Sequence, residues 1–185
     1  MRRLIAFEQI SLDGYFADAK SDMSWAHKHD AEWNDFAANN ASGGGVMLFG
    51  RVTYELMASF WPTEMAMKTA PVVAKQMNAL RKVVFSRTMD RAAWENTELV
   101  KSDLAGKVRE LKRIADRDLV VMGSGTIVAQ LTDERLIDEY QFVVNPIALG
   151  AGRSLFEGIR ERIALQRVST RAFENGNMLL CYAPA

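Results

Sequence analysis

The sequence predicts an α/β protein built around a mixed, mostly parallel sheet. Up to about residue 130, strand-like apolar runs alternate with helical segments, which is typical of parallel strands joined by crossover helices. The run DLVVMG (118–123) is continuously apolar, as expected of a central strand covered on both faces. Two strand-like segments then flank Asn175-Gly176, a strong hairpin signal, so the sheet should end in an antiparallel pair.

The first half of the chain supplies two strands and several helices. The segment RLIAFEQIS (3–11) predicts the first strand, because it is apolar and runs into the turn signal SLDG. The segment GGGVMLFG (43–50) predicts the second strand. Helices are expected roughly from His29 to Asn40, from Thr53 to Ser59 with a stop near Trp61-Pro62, and over residues 65–80, broken or started at Pro71.

The second half contributes the remaining strands and one clear amphipathic helix. Short strands are predicted at KVVFS (82–86) and TELVK (97–101), and a longer strand is predicted at EYQFVVNP (139–146). The segments RIALQRVSTRAF (162–173) and NMLLCYA (177–183) form the expected hairpin. Ser102 or Asp103 should cap the helix LAGKVRELKRIA, whose apolar stripe is Leu104, Val108, Leu111 and Ile114.

Composition limits the classes of function. With 185 residues, no linker-like stretch and no internal repeat, the chain is expected to form a single domain over residues 1–185. Basic and acidic side chains both number 23, so bulk positive charge does not support nucleic-acid binding. Apolar runs are too short for a secretory signal or a membrane span. The single cysteine, Cys181, is expected to be a buried thiol, and the protein is expected to be cytoplasmic.

Three strand ends carry small residues, hydroxyl groups or an arginine where a helix could begin. Ligands of open α/β sheets bind at the carboxyl ends of strands, and helix N-termini present N–H groups to phosphates there. One such turn alone is weak evidence, because glycine also ends strands for steric reasons, but a dinucleotide would use all three. The motifs G-x-G-x-x-G and G-x-x-x-x-G-K are absent. The three turns are Gly50-Arg51-Val52-Thr53, Ser86-Arg87-Thr88 and Gly123-Ser124-Gly125-Thr126.

The order and wording of several motifs resemble a known family. These are SLDGY (11–15), LFGRVTYE (48–55), VVFSRT (83–88), VVMGSGT (120–126) and LIDEYQFVVNPIALGAGRSLF (136–156). Together they resemble the dihydrofolate reductase-like family that includes the C-terminal reductase domain of bacterial riboflavin biosynthesis. The resemblance covers nearly the whole chain and is closest to stand-alone members without a deaminase domain. It implies a three-layer αβα fold with a mixed central sheet and a C-terminal antiparallel hairpin.

The resemblance also implies NADPH as the cofactor. It places Gly50, Arg51 and Thr53 under the pyrophosphate, and Ser86 and Arg87 at the 2′-phosphate of the adenosine ribose. Against the other side of the pyrophosphate it places Gly123, Ser124, Gly125 and Thr126. The sequence departs here from the Gly-Gly pair of the folate enzymes, since Ser124 stands second. The geometry of the 123–124 peptide bond, which is cis in that family, is therefore left open.

Reduction of a C=N or C=O group also needs a proton source. Asp13 follows the first strand where the family places nicotinamide and substrate, although an Asp before Gly also forms turns. Asp30 resembles the carboxylate on the first helix of the folate enzymes, with Trp25 upstream, and its alternative role is a helix N-cap. His27 and His29 do not share a helix face, and no ligand pattern accompanies them, so no metal site is predicted.

The sequence therefore predicts an NADPH-dependent reductase of a small heterocyclic molecule, related to riboflavin or folate chemistry. The reductase would resemble either dihydrofolate reductase or 5-amino-6-(5-phosphoribosylamino)uracil reductase, and the sequence does not identify its substrate. The alternative is a non-catalytic nucleotide sensor that uses the same pocket. The segment NPIALGAGRSLF resembles a family loop, and the terminal strands and flanking loops of such relatives often form a two-fold interface. A homodimer is therefore expected, with Phe156 either across that interface or in the local core.

Overall fold

The computed structural model describes residues 1–26, 30–42 and 45–185, and only the backbone of residues 41 and 42. Its strands are β1 (Leu4–Ser11), β2 (Tyr15–Asp18), β3 (Val46–Gly50), β4 (Arg81–Phe85), β5 (Thr97–Val100), β6 (Leu119–Val121), β7 (Glu139–Asn145), β8 (Gly152–Ser154), β9 (Leu165–Ala172) and β10 (Met178–Pro184). Its helices are α1 (Ala31–Ser42), α2 (Arg51–Phe60), α3 (Glu64–Thr69), α4 (Pro71–Ala79), α5 (Leu104–Ile114) and α6 (Gly125–Asp133).

The main sheet has the strand order β5-β4-β3-β6-β1-β7-β10-β9. Its strands from β5 to β7 are parallel, and β10 pairs antiparallel with both β7 and β9. The strand β6 lies between β3 and β1, which confirms the central position predicted from its continuous apolar run. The carboxyl ends of β4, β3, β6 and β1 therefore lie side by side along one edge of the sheet.

Helices cover both faces of this sheet. Alternate residues of β3 point to opposite sides: Leu48 packs in the cluster that contains Val108 of α5 and Ile127 of α6, whereas Phe49 packs with Tyr54 of α2. On the latter side, Trp33 of α1 packs over β7 and β10. The fold is a three-layer αβα arrangement of the dihydrofolate reductase type, as predicted.

Several element boundaries follow from local sequence signals. Asp103, not Ser102, caps α5, because its carboxylate accepts the Gly106 N–H at 2.9 Å. The segment 65–80 is broken at Pro71 into α3 and α4. The stripe prediction is wrong at Ile114, the last residue of α5, which is 59% exposed. The expected helix start at His29 lies outside the described residues.

The sequence did not reveal a second, smaller sheet. Strands β2 and β8 pair antiparallel, with Tyr15 opposite Ser154 and Asp18 opposite Gly152. Both strands are only three or four residues long without regular alternation, and β8 lies in the middle of a Gly-rich loop, so the usual strand signals are weak. The pairing joins the loop after β1 to the loop after β7.

Two predictions for individual side chains can be compared with the structure. Cys181 is a free, buried residue of β10, as expected of a structural thiol. Phe156 packs against Tyr140 and Phe142, with ring centroids 5.9 Å apart in each pair. This contact is the local core role, one of the two roles expected for Phe156.

None of the helices in the described ranges has the length and apolar character of a membrane span.

Lys82 is a fully buried cation inside the layer of α4. Its ammonium group donates to the carbonyl oxygens of Met77, Asn78 and Leu80 at 2.9, 3.1 and 2.7 Å, and it lies 4.5 Å from the ring centroid of Trp94. Burial lowers the pKa of Lys82 to about 8. The side chain satisfies carbonyl groups at the end of α4 that have no intrahelical partner.

Replacing Lys82 by methionine keeps much of the volume but removes the ammonium donor from these carbonyl groups. Among the residues that the structure describes, only the Asn78 carbonyl keeps another donor, the Asn96 amide at 3.0 Å. We expect Lys82→Met to lower the free energy of unfolding by about 2–4 kcal/mol, as measured by urea denaturation at pH 7. Lys75→Met, an exposed change on the same helix, should alter it by less than about 0.5 kcal/mol. Equal stabilities for the two variants would show that the Lys82 contacts contribute nothing.

Candidate functional site

The first predicted turn joins β3 directly to α2. β3 is buried along its length and ends at Gly50, which is the N-cap residue of α2 and has no capping side chain. The N–H groups at the start of α2 therefore lack a side-chain acceptor within the described part of the chain. Arg51 is exposed at this end, and its guanidinium group bonds Glu55 one turn later at 3.0 Å.

The predicted turn that begins at Gly123 joins β6 to α6. Gly123 has a φ of +88°, a conformation that favours glycine, and its peptide bond to Ser124 is cis. This answers the question that the sequence left open. Ser124 is the N-cap residue of α6, again without a side-chain cap. Gly125 is buried at the first position of the helix, and Thr126 is exposed.

These two turns meet. The Gly50 N–H donates to the Gly123 carbonyl oxygen at 2.9 Å. A Cβ atom on Gly50 would lie 3.1 Å from the backbone nitrogen of Ser124 and closer still to its hydroxyl oxygen, so glycine permits the approach. From this contact α2 leaves over one face of the sheet and α6 over the other. Such a switch point opens a crevice at the carboxyl edge, and here two uncapped helix N-termini flank it.

The predicted turn that begins at Ser86 follows β4, the strand next to β3. The Ser86 hydroxyl oxygen accepts the N–H groups of Thr88 and Met89 at 3.3 and 3.1 Å, which shapes a tight loop. Arg87 and Thr88 are exposed on it. Because Phe85 pairs with Gly50, this loop begins beside the Gly50 turn. The structure thus brings all three predicted turns to adjacent positions on one edge.

The loop after β1 lies at the other end of the row that the three turns form. Phe16 of β2 packs against Gly125, where a Cβ atom would lie 2.5 Å from the ring. The Arg153 guanidinium group lies 5.4 Å from the centroid of the same ring. Arg153 is therefore a basic side chain close to the N-terminus of α6 that sequence reasoning missed, since its position depends on the pairing of β2 with β8.

Asp13 holds this loop to the loop after β7. Its carboxylate accepts the Ser11 hydroxyl at 2.7 Å, the Gly150 N–H at 2.7 Å and the Leu149 N–H at 3.0 Å. These hydrogen bonds, led by that from Ser11, lower the pKa of Asp13 to about 2. A carboxylate that is ionised at neutral pH has no proton to give, so the geometry favours the turn-forming role over that of a proton donor.

Asp30 lies at the start of α1 and makes the contact of an N-cap. Its carboxylate accepts the Trp33 N–H at 2.7 Å, and its carbonyl oxygen accepts the Asn34 N–H at 3.0 Å. This is the alternative to a catalytic role, and the role of Asp30 as a proton donor stays a prediction.

His27 and His29 lie outside the described residues. In the rest of the chain, no three His, Cys, Asp or Glu side chains form a group that could hold a metal ion.

Glu8 is a further acidic residue at the row of turns, and sequence reasoning missed it. It is a buried residue of β1, and burial raises the pKa of its carboxyl group to about 8. The signal that could have found it is an acid in an otherwise strand-like apolar run. An ordinary half-exposed strand would also place an acid there, so the run alone does not distinguish the two.

A broad concavity lies beside α2. It has a volume of about 980 Å³ and is bordered by α2 and residues 89–95. Tyr54, at its base, bonds the Trp94 N–H at 2.9 Å. No predicted site residue lines it, and the crevice between the uncapped helix N-termini has the better chemistry for a phosphate ligand.

Residues 2–179 match the model of the RibD C-terminal domain family. The chain belongs to this family. Two uncharacterized Bacillus subtilis (strain 168) proteins are similar over nearly their full length. YyaP is 26% identical over 183 residues, which cover 98% of this chain and 94% of YyaP. YwjB is 22% identical over 172 residues, which cover 93% of this chain and 92% of YwjB.

Solved structures share the fold. A candidate riboflavin biosynthesis protein from Shewanella sp. PV-4 superposes with a TM-score of 0.76 at 22% identity, over 99% of both chains. A Thermotoga maritima diaminohydroxyphosphoribosylaminopyrimidine deaminase/5-amino-6-(5-phosphoribosylamino)uracil reductase gives 0.69 at 16% identity. This chain spans 57% of that protein. A pyrimidine reductase-like protein from Corynebacterium diphtheriae gives 0.60 at 10% identity, over 92% of its length.

The contacts of Asp13 predict a pH-dependent contribution to stability. The pKa of Asp13 is about 2 in the folded protein and about 3.9 in an unfolded chain, so its stabilising effect is complete above the unfolded value. It is lost as the pH falls through the folded value. Asp13→Asn should therefore have a lower Tm than the wild type at pH 7, with a deficit that shrinks below about pH 4.

Thermal unfolding between pH 7 and 3 checks this expectation. Asp35→Asn, an exposed change on α1, serves as the control and should follow the wild type across the range. A deficit in Asp13→Asn that stays constant down to pH 3, or no deficit at pH 7, would contradict the tethering role.

Proposed function

We propose that this protein is an NADPH-dependent reductase of a small heterocyclic substrate. The observation that carries the proposal is the meeting of the Gly50 and Gly123 turns, with the Ser86-Arg87 loop beside them. Together they offer two uncapped helix N-termini and an exposed guanidinium group along a single sheet edge. Membership in the RibD C-terminal domain family supports a reductase in riboflavin-related chemistry.

The residues present fit a dinucleotide phosphate. The N–H groups at the starts of α2 and α6 would hold the pyrophosphate, because both helix ends carry partial positive charge. Glycine at positions 50 and 123 leaves the backbone open to close approach. Arg51 at the start of α2 and Arg153 near the start of α6 add positive charge on the two sides of the crevice.

The loop after β4 fits the adenosine 2′-phosphate. Arg87 is exposed and carries a planar guanidinium group that suits a phosphate. Ser86 contributes less directly, since its hydroxyl oxygen already accepts two backbone N–H groups and so orients the loop. The loop contains no acidic side chain before Asp90, whereas an NADH enzyme more often places one near the ribose diol.

The chain would orient and shield a reaction whose hydride comes from the bound cofactor. The Asp13 tether and the contact of Phe16 with Gly125 fix the loop after β1 at the nicotinamide end of the edge. Asp30 remains the proposed proton donor, and bulk water is the other source. The names of the structural relatives, which include a uracil derivative reductase and a pyrimidine reductase-like protein, support a pyrimidinone- or pterin-like substrate.

One observation favours the alternative of a non-catalytic nucleotide sensor. Asp13 and Asp30 both make structural contacts, so neither is a free acid in the described structure. Measuring the loss of NADPH absorbance with pterins, pyrimidinones and flavin precursors separates the two functions. Turnover with any of them supports the reductase, and tight NADPH binding without turnover across the panel supports the sensor.

A homodimer is the proposed assembly. The strand β9 forms one edge of the main sheet, and its side chains from Gln166 to Ala172 are exposed, with Val168 57% exposed. An edge strand of this length presents a row of unpaired backbone N–H and C=O groups with which a second copy of the chain can pair. Sedimentation velocity should show a dimer at micromolar concentration, and a monomer alone would remove the assembly without affecting the enzyme proposal.

The assignment of Arg87 predicts cofactor preference. Arg87→Ala should weaken NADPH binding by about 1.5–3 kcal/mol, the range for charge-assisted hydrogen bonds, and leave NADH binding nearly unchanged. Arg91→Ala, a second exposed arginine a few residues along the chain, is the matched control and should change neither affinity. Calorimetric titration of both cofactors against the variants measures this difference. Equal losses for NADPH and NADH, or no loss for either, would remove Arg87 from the 2′-phosphate site.

A further inference from the structure

Glu8 is a buried acid at the β1 end of the proposed site. The residue lies in β1 and is 5% exposed, and its Oε1 atom has no hydrogen-bond partner among the described residues. Buried carboxyl groups in folded proteins are normally paired, because an unpartnered one carries a large desolvation cost. An exception of this kind requires an explanation.

The register of the sheet places Glu8 in line with the turns. Phe85 of β4 pairs with Gly50 of β3, and Glu8 pairs with Phe142 of β7. Strand β6 lies between β3 and β1. Its Val121 pairs in β3 with the residue two positions before Gly50, and in β1 with the residue two positions before Glu8. The residue two positions after Val121 is Gly123, so Gly50, Gly123 and Glu8 lie in one row across three adjacent strands.

Oxygen atoms pack closely against Gly123. The position that a Cβ atom of Gly123 would occupy is 2.9 Å from the Thr53 hydroxyl oxygen. The same position is 3.5 and 3.6 Å from the two carboxyl oxygens of Glu8. The carboxyl group of Glu8 therefore points at the glycine turn, beside the N-termini of both α2 and α6.

We propose that Glu8 is a ligand-contacting residue whose carboxyl group hydrogen-bonds the nicotinamide riboside half of the dinucleotide beside the Gly123 turn. The inference rests on the proposed function, since it takes the adenosine end to lie at Arg87 and the pyrophosphate at the two helix N-termini. The next position along the sheet edge is β1, where Glu8 lies. The nicotinamide riboside half, which lies beyond the pyrophosphate, must then reach Glu8.

A neutral carboxyl group suits that half of the ligand. It offers one O–H donor and one carbonyl acceptor, which complement a primary carboxamide or a ribose hydroxyl pair. Thr53 adds a hydroxyl group that can donate or accept. An ionised carboxylate would lose the donor and would repel the nearby pyrophosphate, so the neutral form should be the one that binds.

The surroundings of Glu8 favour this neutral form. Burial raises its pKa to about 8, and no charged group contributes to that shift. The charged side chains on the elements around it are engaged elsewhere. They are Arg51 with Glu55 on α2, Asp133 with Arg160 at the end of α6, Glu139 with Arg3 at the start of β7, Asp18 with backbone N–H groups after β2, and Arg153 over Phe16.

A structural role and a ligand-binding role for Glu8 predict different effects of its removal on the stability of the protein. If the acid held the fold together, its removal would destabilise the protein. An unpartnered buried acid that is retained for binding costs stability, so Glu8→Leu should fold with an unchanged or higher Tm. The same variant should bind NADPH about tenfold or more weakly, because it loses the hydrogen bonds to the ligand.

Titration of NADPH by calorimetry at pH 6.5–9.5 is the main experiment. Wild-type affinity should fall about tenfold per pH unit above about pH 8, with uptake of one proton on binding at the upper end. Glu8→Gln, which keeps a donor and an acceptor, should bind at every pH as the wild type does at pH 6.5. Glu157→Gln, the same change at an exposed position, should follow the wild type.

Adenosine 2′,5′-bisphosphate separates failure of this inference from failure of the proposed function. It lacks the nicotinamide riboside half, so its affinity for Glu8→Leu and for the wild type should be equal. If the wild type binds neither this compound nor NADPH, the proposed function fails. If the wild type binds both, and Glu8→Leu or Glu8→Gln matches it for NADPH at every pH, only the role of Glu8 fails.

Discussion

The proposed site depends on one backbone hydrogen bond, from the Gly50 N–H to the Gly123 carbonyl oxygen at 2.9 Å. It joins the ends of β3 and β6 at the point where α2 and α6 leave over opposite faces of the sheet. Glycine at position 50 is what allows this approach, since any Cβ atom there would meet Ser124. The crevice, the two helix N-termini and the row of turns all follow from this junction.

Local signals make much of this arrangement predictable from the sequence. The three turns each follow an apolar strand within a few residues, and parallel strands bring their carboxyl ends to one edge, so the sequence alone suffices to group Gly50, Ser86 and Gly123. The hairpin at Asn175-Gly176 has the same local character, and Gly176 has a φ of +89° there. The family membership extends these local matches over residues 2–179.

Long-range contacts account for what the sequence could not predict. The residues around Asp13 are compatible with a turn former or a proton donor, and only its bonds to Leu149 and Gly150, more than 130 positions away, favour the first role. Arg153 reaches the start of α6 only through the pairing of β2 with β8. The contrast between Lys82 and Glu8 is also invisible in the sequence, since each is a charged residue in a strand. Lys82 has three carbonyl partners, whereas Glu8 Oε1 has none in the described structure.

A crystal structure of the protein with bound NADPH tests the central claim most directly. The dinucleotide should run along the sheet edge from β4 to β1, with the 2′-phosphate within about 3.2 Å of the Arg87 guanidinium group. The pyrophosphate oxygens should contact N–H groups at the starts of both α2 and α6. Density for the dinucleotide in the concavity between α2 and residues 89–95, with the Gly50 and Gly123 turns uncontacted, would contradict the account.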